Sequence, residues 1–201
     1  MTTGPLRLIR SANEEEASEP QERNLILAAQ DGDAAAFKVL YERYRDRVFS
    51  LISYTLKDPP LAEDVLQTVF VKVFQALPYF RHESGFHTWI YRVALNECKN
   101  RRRRRRLFVP IDQLAGSLPE VDPGTAPDAM HSSRQVSRMV QEAVLGLRPK
   151  LRSVIVLRYV EELSYEEIAS VLGCSPGTVA SRLHRALSIL ETRLSALRGS
   201  L

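Results

Sequence analysis

Cysteine is scarce in this chain, long apolar runs are missing, and neither a glycine-rich phosphate loop nor a carboxylate pair placed to hold magnesium is present; each gap removes a class of function. The two cysteines, Cys98 and Cys174, stand far apart with no second Cys or His at metal-ligand spacing. Neither a zinc site nor a disulfide framework is predicted, and a reducing, intracellular setting follows. The apolar stretch from Leu6 to Ile9 is too short for a signal-peptide core, and no window approaches a membrane span, so a cytoplasmic protein is expected. Glu63 and Asp64 are neighbours that point in different helical directions and make a poor magnesium site. No cofactor, no metal and no catalysis by the chain are expected.

What is present is charge, distributed unevenly. The 201 residues carry a formal net charge of +4, and 44% of them are apolar, enough for one domain or two small ones. Along the chain the balance is −2 over residues 1–30, +6 over 31–106, −3 over 107–135 and +3 over 136–201. Two basic blocks flanking an acidic connector suit a chain that touches a polyanion at two places, because Lys and Arg that neutralise phosphates release condensed counterions. Charge alone equally fits two ordinary basic domains.

Periodicity predicts an all-α protein of two small helical domains. Residues 1–24 are read as a disordered leader, with order beginning near Leu25. After the N-cap candidate Asp33, the residues Phe37, Leu40, Tyr41, Tyr44, Val48, Leu51 and Ile52 follow helical spacing, and Pro59 and Pro60 end that unit. A second helix from about Leu61 places Val65, Leu66, Val69, Phe70 and Val73 on one stripe. A third, from about Phe86 into the arginine run 101–106, turns Phe86, Trp89, Ile90, Val93 and Ala94 inward and Tyr91, Arg92, Leu95 and Lys99 to the other side. These helices make a first domain over 25–106. Residues 107–135, rich in Pro and Gly, read as a flexible linker, and 136–201 as a second domain.

The most informative motif lies in that second domain. Ser164 and Glu167 stand as a capping box, Gly173 stops the helix, and Ser175 with Pro176 starts another. Helix, short turn, helix is the helix-turn-helix plan, whose second helix enters the major groove. At about 100° per residue, that helix gathers Val179, Leu183, Ala186, Leu187 and Leu190 into a buried stripe. The opposite side carries Gly177, Thr178, Ser181, His184, Arg185 and Ser188, groups able to meet base edges and phosphates. A solvated face on an ordinary helical hairpin is the plain alternative.

With those residues in view, a family resemblance becomes specific. Leu147-Arg148-Pro149-Lys150-Leu151-Arg152-Ser153-Val154-Ile155-Val156-Leu157-Arg158-Tyr159, then Leu163-Ser164-Tyr165-Glu166-Glu167-Ile168-Ala169, then Gly177-Thr178-Val179-Ala180-Ser181-Arg182-Leu183-His184-Arg185-Ala186, resemble the C-terminal domain of sigma-70 family factors. The resemblance implies contact with the minus-thirty-five element through Ser175, Thr178, Ser181, Arg182, His184 and Arg185, and with the polymerase flap through the preceding helices. Ala62-Glu63-Asp64-Val65-Leu66-Gln67-Thr68-Val69-Phe70 is similar to the family's clamp-binding helix, which implies polymerase contacts at Asp64, Gln67 and Thr68. Phe86-His87-Thr88-Trp89-Ile90-Tyr91-Arg92-Val93-Ala94-Leu95-Asn96 is similar to its minus-ten-reading helix. There the implied DNA-facing residues are Arg81, His82, His87, Tyr91, Arg92, Asn96 and Lys99, with Phe86 and Trp89 in the core. Single-stranded bases are held by stacking surfaces beside cations, which this stretch supplies.

Thr68 and Ala180 depart from the family's usual acidic and basic residues. No segment matches the extra domains of housekeeping sigma factors, so the chain is placed by resemblance in the extracytoplasmic-function subfamily. The implied partners are core RNA polymerase, promoter DNA and an anti-sigma factor. Arginines 101–106 are read as a phosphate or polymerase contact rather than a merely solvated helix end. The rivals are a stand-alone helix-turn-helix regulator, which leaves the first domain's resemblance unexplained, and an enzyme acting on nucleic acid, which lacks the motifs for it.

Overall fold

A computed structural model describes residues 12–108 and 128–198 of the chain, with side-chain surroundings for 21–105 and 136–195. All regular structure among these residues is helical. The elements are α1 (Ala12–Gln30), α2 (Ala34–Leu56), α3 (Pro59–Ala76), a short 3-10 turn (Leu77–Tyr79), α4 (Phe86–Phe108), α5 (Asp128–Leu145), α6 (Pro149–Tyr159), α7 (Tyr165–Leu172) and α8 (Pro176–Arg198). No described helix is long and apolar enough to cross a membrane.

The helix ends follow local chemistry. Asp33 accepts hydrogen bonds from the backbone N–H groups of Ala35 and Ala36 at 2.7 and 3.2 Å, opening α2. Lys57 closes it in the left-handed region at φ 60°. Asp58 then caps α3, with Pro59 and Pro60 in its first turn, where a missing N–H costs nothing. The proline pair therefore starts α3 as well as ending α2. Ser164 and Glu167 form the reciprocal capping box of α7, and Gly173 ends that helix at φ +62°. The Ser175 hydroxyl accepts from Thr178 N at 3.2 Å and caps α8.

Helices α2, α3 and α4 pack around Leu40, Val48, Leu51, Ile52, Val65, Val69, Ile90 and Ala94, all buried. The second group packs Val154, Leu157, Ile168, Val179, Leu183, Ala186 and Leu190 between α6, α7 and α8. The two groups also touch one another, α7 against α4 and α6 against α2, so that one buried cluster runs through both.

Four expectations need correction. Helix α1 covers residues 12–24 of what reads as a disordered leader, ahead of the expected start near Leu25; residues 1–11 lie outside the description. Ile26 and Ala29 of α1 enter the first core, and Glu22 accepts hydrogen bonds from Tyr44 Oη and Arg43 at 2.9 and 3.1 Å. Those few contacts anchor an Ala- and Glu-rich segment of good helix formers. The expected linker, 107–135, is helical at both ends: α4 runs on through the arginines to Phe108, and α5 starts at Asp128. Residues 109–127 lie outside the description. Arginine is a strong helix former and its charge suits a helix C-terminus, so the run extends α4 instead of breaking it.

Leu187 is 42% exposed instead of buried. On the wheel it stands about 80° from Val179, whereas Leu183, Ala186 and Leu190 lie within about 40° of it. Trp89 is half-buried rather than part of the core, stacked near Phe80 and Phe86 with centroids at 4.9 and 5.6 Å.

The capping box yields a stability prediction. Ser164→Ala removes the acceptor for Glu167 N–H and should cost about 1 kcal/mol. Urea unfolding followed by circular dichroism should show a lower midpoint with an unchanged slope.

Candidate nucleic-acid interfaces

The recognition-type face sits on one side of α8. Val179, Leu183 and Ala186 face inward, while Ser175, Ser181, His184 and Arg185 are exposed and Thr178 and Arg182 are half-buried. Ser175 and Thr178 share a hydroxyl contact of 2.9 Å, and Ser181 Oγ donates to Thr178 O at 3.0 Å, so these groups sit in fixed positions at the helix start. Arg182 reaches back to Cys174 Sγ at 3.7 Å. His184 and Arg185 extend from the face without a protein partner among the described residues. A rigid helix with small hydroxyl groups at its start and a free guanidinium beyond them matches what a duplex groove demands.

The downstream set divides in two. Arg81, His82, Asn96 and Lys99 are exposed. His82 adopts φ 56°, lies 3.3 Å from Gln30 Oε1 and has its ring 4.7 Å from that of Phe80. His87, Tyr91 and Arg92 are instead turned against the second group of helices. His87 Nε2 stands 2.8 Å from Glu167 Oε1, and Arg92 Nη2 donates to Ser170 Oγ at 2.7 Å. Tyr91 is only 1% exposed and donates its hydroxyl to Glu161. Tyr91 does lie off the first domain's core, but it is buried where α7 and the α6–α7 connection carrying Glu161 meet α4.

Glu161 is the pivot of that contact, and nothing in the sequence singles it out from its neighbour Glu162. Its carboxylate is buried, takes the Tyr91 hydrogen bond and lies 3.8 Å from Arg47 Nε. Burial raises its pKa above the ordinary carboxylate value, against the opposing pull of Tyr91 and Arg47. Burial and then Glu161 likewise push the Tyr91 hydroxyl upward. Glu167 behaves oppositely: burial would raise its pKa, but hydrogen bonds from Ser164 backbone and side chain and from His87 bring it below the usual value.

The polymerase-type set lies on α3. Asp64 and Gln67 are exposed, and Thr68 is half-buried with its hydroxyl donating to Asp64 O at 2.9 Å. Val71 and Phe74, 56% and 54% exposed, continue the Asp64–Gln67 side at helical spacing. The sequence reading missed both, although their spacing from Gln67 was the available signal.

Two sigma-70 family patterns match this chain in the order of its helices: region 2 over residues 40–108 and region 4 over residues 137–190. The chain belongs to the sigma-70 family. It is 33% identical over 187 residues to the RNA polymerase sigma-H factor of Pseudomonas aeruginosa, covering 90% of this chain and 97% of that protein. To the ECF RNA polymerase sigma-E factor of Escherichia coli K12 it is 34% identical over 183 residues, covering 86% and 94%. Among solved structures it resembles CnrH in complex with the cytosolic domain of CnrY, with a TM-score of 0.65 and 26% identity over 87% of this chain and 97% of that one. The Bartonella quintana sigma factor RpoE, solved with the anti-sigma factor NepR, shares the fold, with a TM-score of 0.66 and 23% identity over 79% and 96%.

This sigma factor is thus of the extracytoplasmic-function type, an alternative factor that directs promoter-specific initiation as a specificity subunit of RNA polymerase. The stand-alone regulator reading falls away, because it does not account for region 2 and region 4 in one chain.

The Glu161 contact predicts a pH dependence. A carboxylate whose folded pKa is raised contributes stability at low pH that is lost as pH rises through that folded value. Glu161→Gln keeps an acceptor for Tyr91 while removing the buried charge. The variant should melt higher than wild type near pH 7.5, and the difference should shrink as pH falls toward 5. A thermal midpoint series across that range checks the sign.

Proposed function

We propose that the chain divides promoter recognition between its two helical groups. Ser175, Thr178, Ser181, Arg182, His184 and Arg185 meet the minus-thirty-five duplex, and Arg81, His82, His87, Tyr91, Arg92, Asn96 and Lys99 meet the opened minus-ten element. The observation that carries this reading is the α8 face, where exposed His184 and Arg185 stand opposite buried Val179, Leu183 and Ala186 on a helix capped for insertion. Asp64, Gln67 and Thr68 form a clamp-binding surface on α3, and the exposed Val71 and Phe74 give it the apolar contact area that polar groups alone would lack.

Tyr91 is buried at the seam and His87 and Arg92 are engaged there with Glu167 and Ser170, so full downstream reading requires the two groups to part. Binding to polymerase supplies the driving force, since a partner that holds only the open arrangement shifts the population toward it. We assign the chain no catalytic site of its own and place it in the cytoplasm, where polymerase and promoter DNA meet. An anti-sigma factor is a further partner in this reading, supported by the sigma factor of shared fold that was solved with the anti-sigma factor NepR.

Reconstituted transcription with core polymerase tests the division. Arg185→Ala should weaken holoenzyme binding by about 1–3 kcal/mol and relax preference at one upstream position if it reads a base. If it meets phosphate, affinity should fall across sequences and the salt slope should shrink by about one unit. Arg92→Ala should still engage the upstream duplex but open the promoter poorly by permanganate reactivity. Identical responses of both variants on promoters altered at either element would refute the division of labour.

A further inference from the structure

Where the two helical groups meet, a cleft of about 970 Å³ opens between α4, the start of α6, the end of α7 and the middle of α8. Such a volume lies at the upper end of the range that takes a small molecule. Six of its lining residues are cations: Lys99 and Arg102 from α4, Arg148 and Lys150 from the start of α6, and Arg182 and Arg185 from α8. No carboxylate lines it, and none of the six forms an ion pair among the described residues. Leu95, Leu172 and Ile189 supply apolar wall.

A buried arginine stands close behind this cleft. Arg152, one turn into α6, is 4% exposed and donates to Leu145 O at 2.7 Å, with its Nε left without a partner. Burial, and after it Arg102, pull its pKa down to about 10. The positive end of the α6 dipole adds to the same potential, since Arg148 and Lys150 sit at that helix start and Arg148 provides no side-chain cap. Closing the two groups thus brings like charges together, a cost that an anion in the cleft would remove.

We propose that the interdomain cleft binds an oligophosphate anion, and that this ligand holds the two helical groups together. A chain of phosphates matches six cations spread over opposite walls better than a single small anion does. The class includes nucleoside oligophosphates, whose base would lie on Leu95, Leu172 and Ile189, and inorganic polyphosphate, which needs no such wall. Lys99, Arg182 and Arg185 also belong to the DNA-facing sets, so an occupied cleft withholds them from the promoter. That consequence rests on the proposed division of promoter recognition, whereas binding and closure are measured on the chain alone.

The experiment is calorimetric titration of the full chain with inorganic tripolyphosphate and, separately, with ATP, at about 0.15 M salt. One equivalent should bind, and Arg102→Ala and Lys150→Ala, from opposite walls, should each weaken it about tenfold. Equal affinity for the two probes identifies the phosphate chain as the recognised element; tighter ATP binding identifies a nucleotide. Glu161→Lys, which sets a cation against Arg47 and separates the groups, should abolish the site while circular dichroism reports intact helices. Should that variant unfold, Tyr91→Phe provides the milder opening, with weakened binding expected. Hydrogen exchange in α4 should slow when either probe is bound. Multiple equivalents, indifference to Arg102→Ala, full affinity in the separated variant, unchanged exchange or tighter binding of a Glu-rich peptide would each overturn the proposal.

Discussion

The seam between the two halves of this sigma factor sets apolar packing against a buried carboxylate. Glu161 has lost its water, and the penalty for an ion of that size is several kcal/mol before any partner is counted. The Tyr91 hydroxyl and the half-buried Arg47 offset it only in part, as the raised pKa of the carboxyl indicates. The seam therefore closes chiefly through the apolar cluster that continues from one group into the other. A junction held by packing and opposed by its own charge can exchange between closed and open states at modest cost.

That balance fits what α4 has to do. Single-stranded DNA needs stacking surfaces and cations that are free of protein partners, yet an aromatic group left uncovered also invites non-specific association. Burying Tyr91 against α7 and the α6–α7 connection hides the ring and gives its hydroxyl an acceptor in Glu161. His87 and Arg92 find Glu167 and Ser170 at the same seam, so all three exchange protein contacts for solvent or DNA together. The same closure presses cations of α4, α6 and α8 around one cleft. Contacts that favour the closed state and repulsions that disfavour it thus sit within a few residues of each other, and a modest differential affinity for one state can set the population.

Much of the fold was legible because it is written locally. The capping box of Ser164 and Glu167, the Gly173 stop, the Asp33 cap and the stripe of Val179, Leu183 and Ala186 each follow from residues within a turn or two of one another. α1 was not legible, since its anchoring depends on Ile26 and Ala29 meeting a core made elsewhere and on Glu22 reaching Tyr44. Burial of Tyr91 was hidden for the same reason: a helical wheel reports which side a residue is on, not what a separate domain lays over that side. Leu187 shows the limit of the wheel within one helix, because the edge of an apolar stripe is decided by how far the neighbouring helix extends.

The arginine run illustrates how a strong compositional signal dissolves once it is given geometry. Consecutive residues on a helix point about 100° apart, so the side chains of Arg101 to Arg105 meet different surroundings. Arg102 faces the cleft, whereas Arg105 turns back to Asp58 at 3.1 Å, close to the cap of α3. Arg103 and Arg104 are exposed, while Arg101 and Arg102 are half-buried. The run acts as a charged sleeve around the end of α4: one residue ties the helix back to α3, another raises the potential of the interdomain cleft, and the exposed residues extend that potential into solvent. The described residues of the run therefore differ in what they touch within the chain.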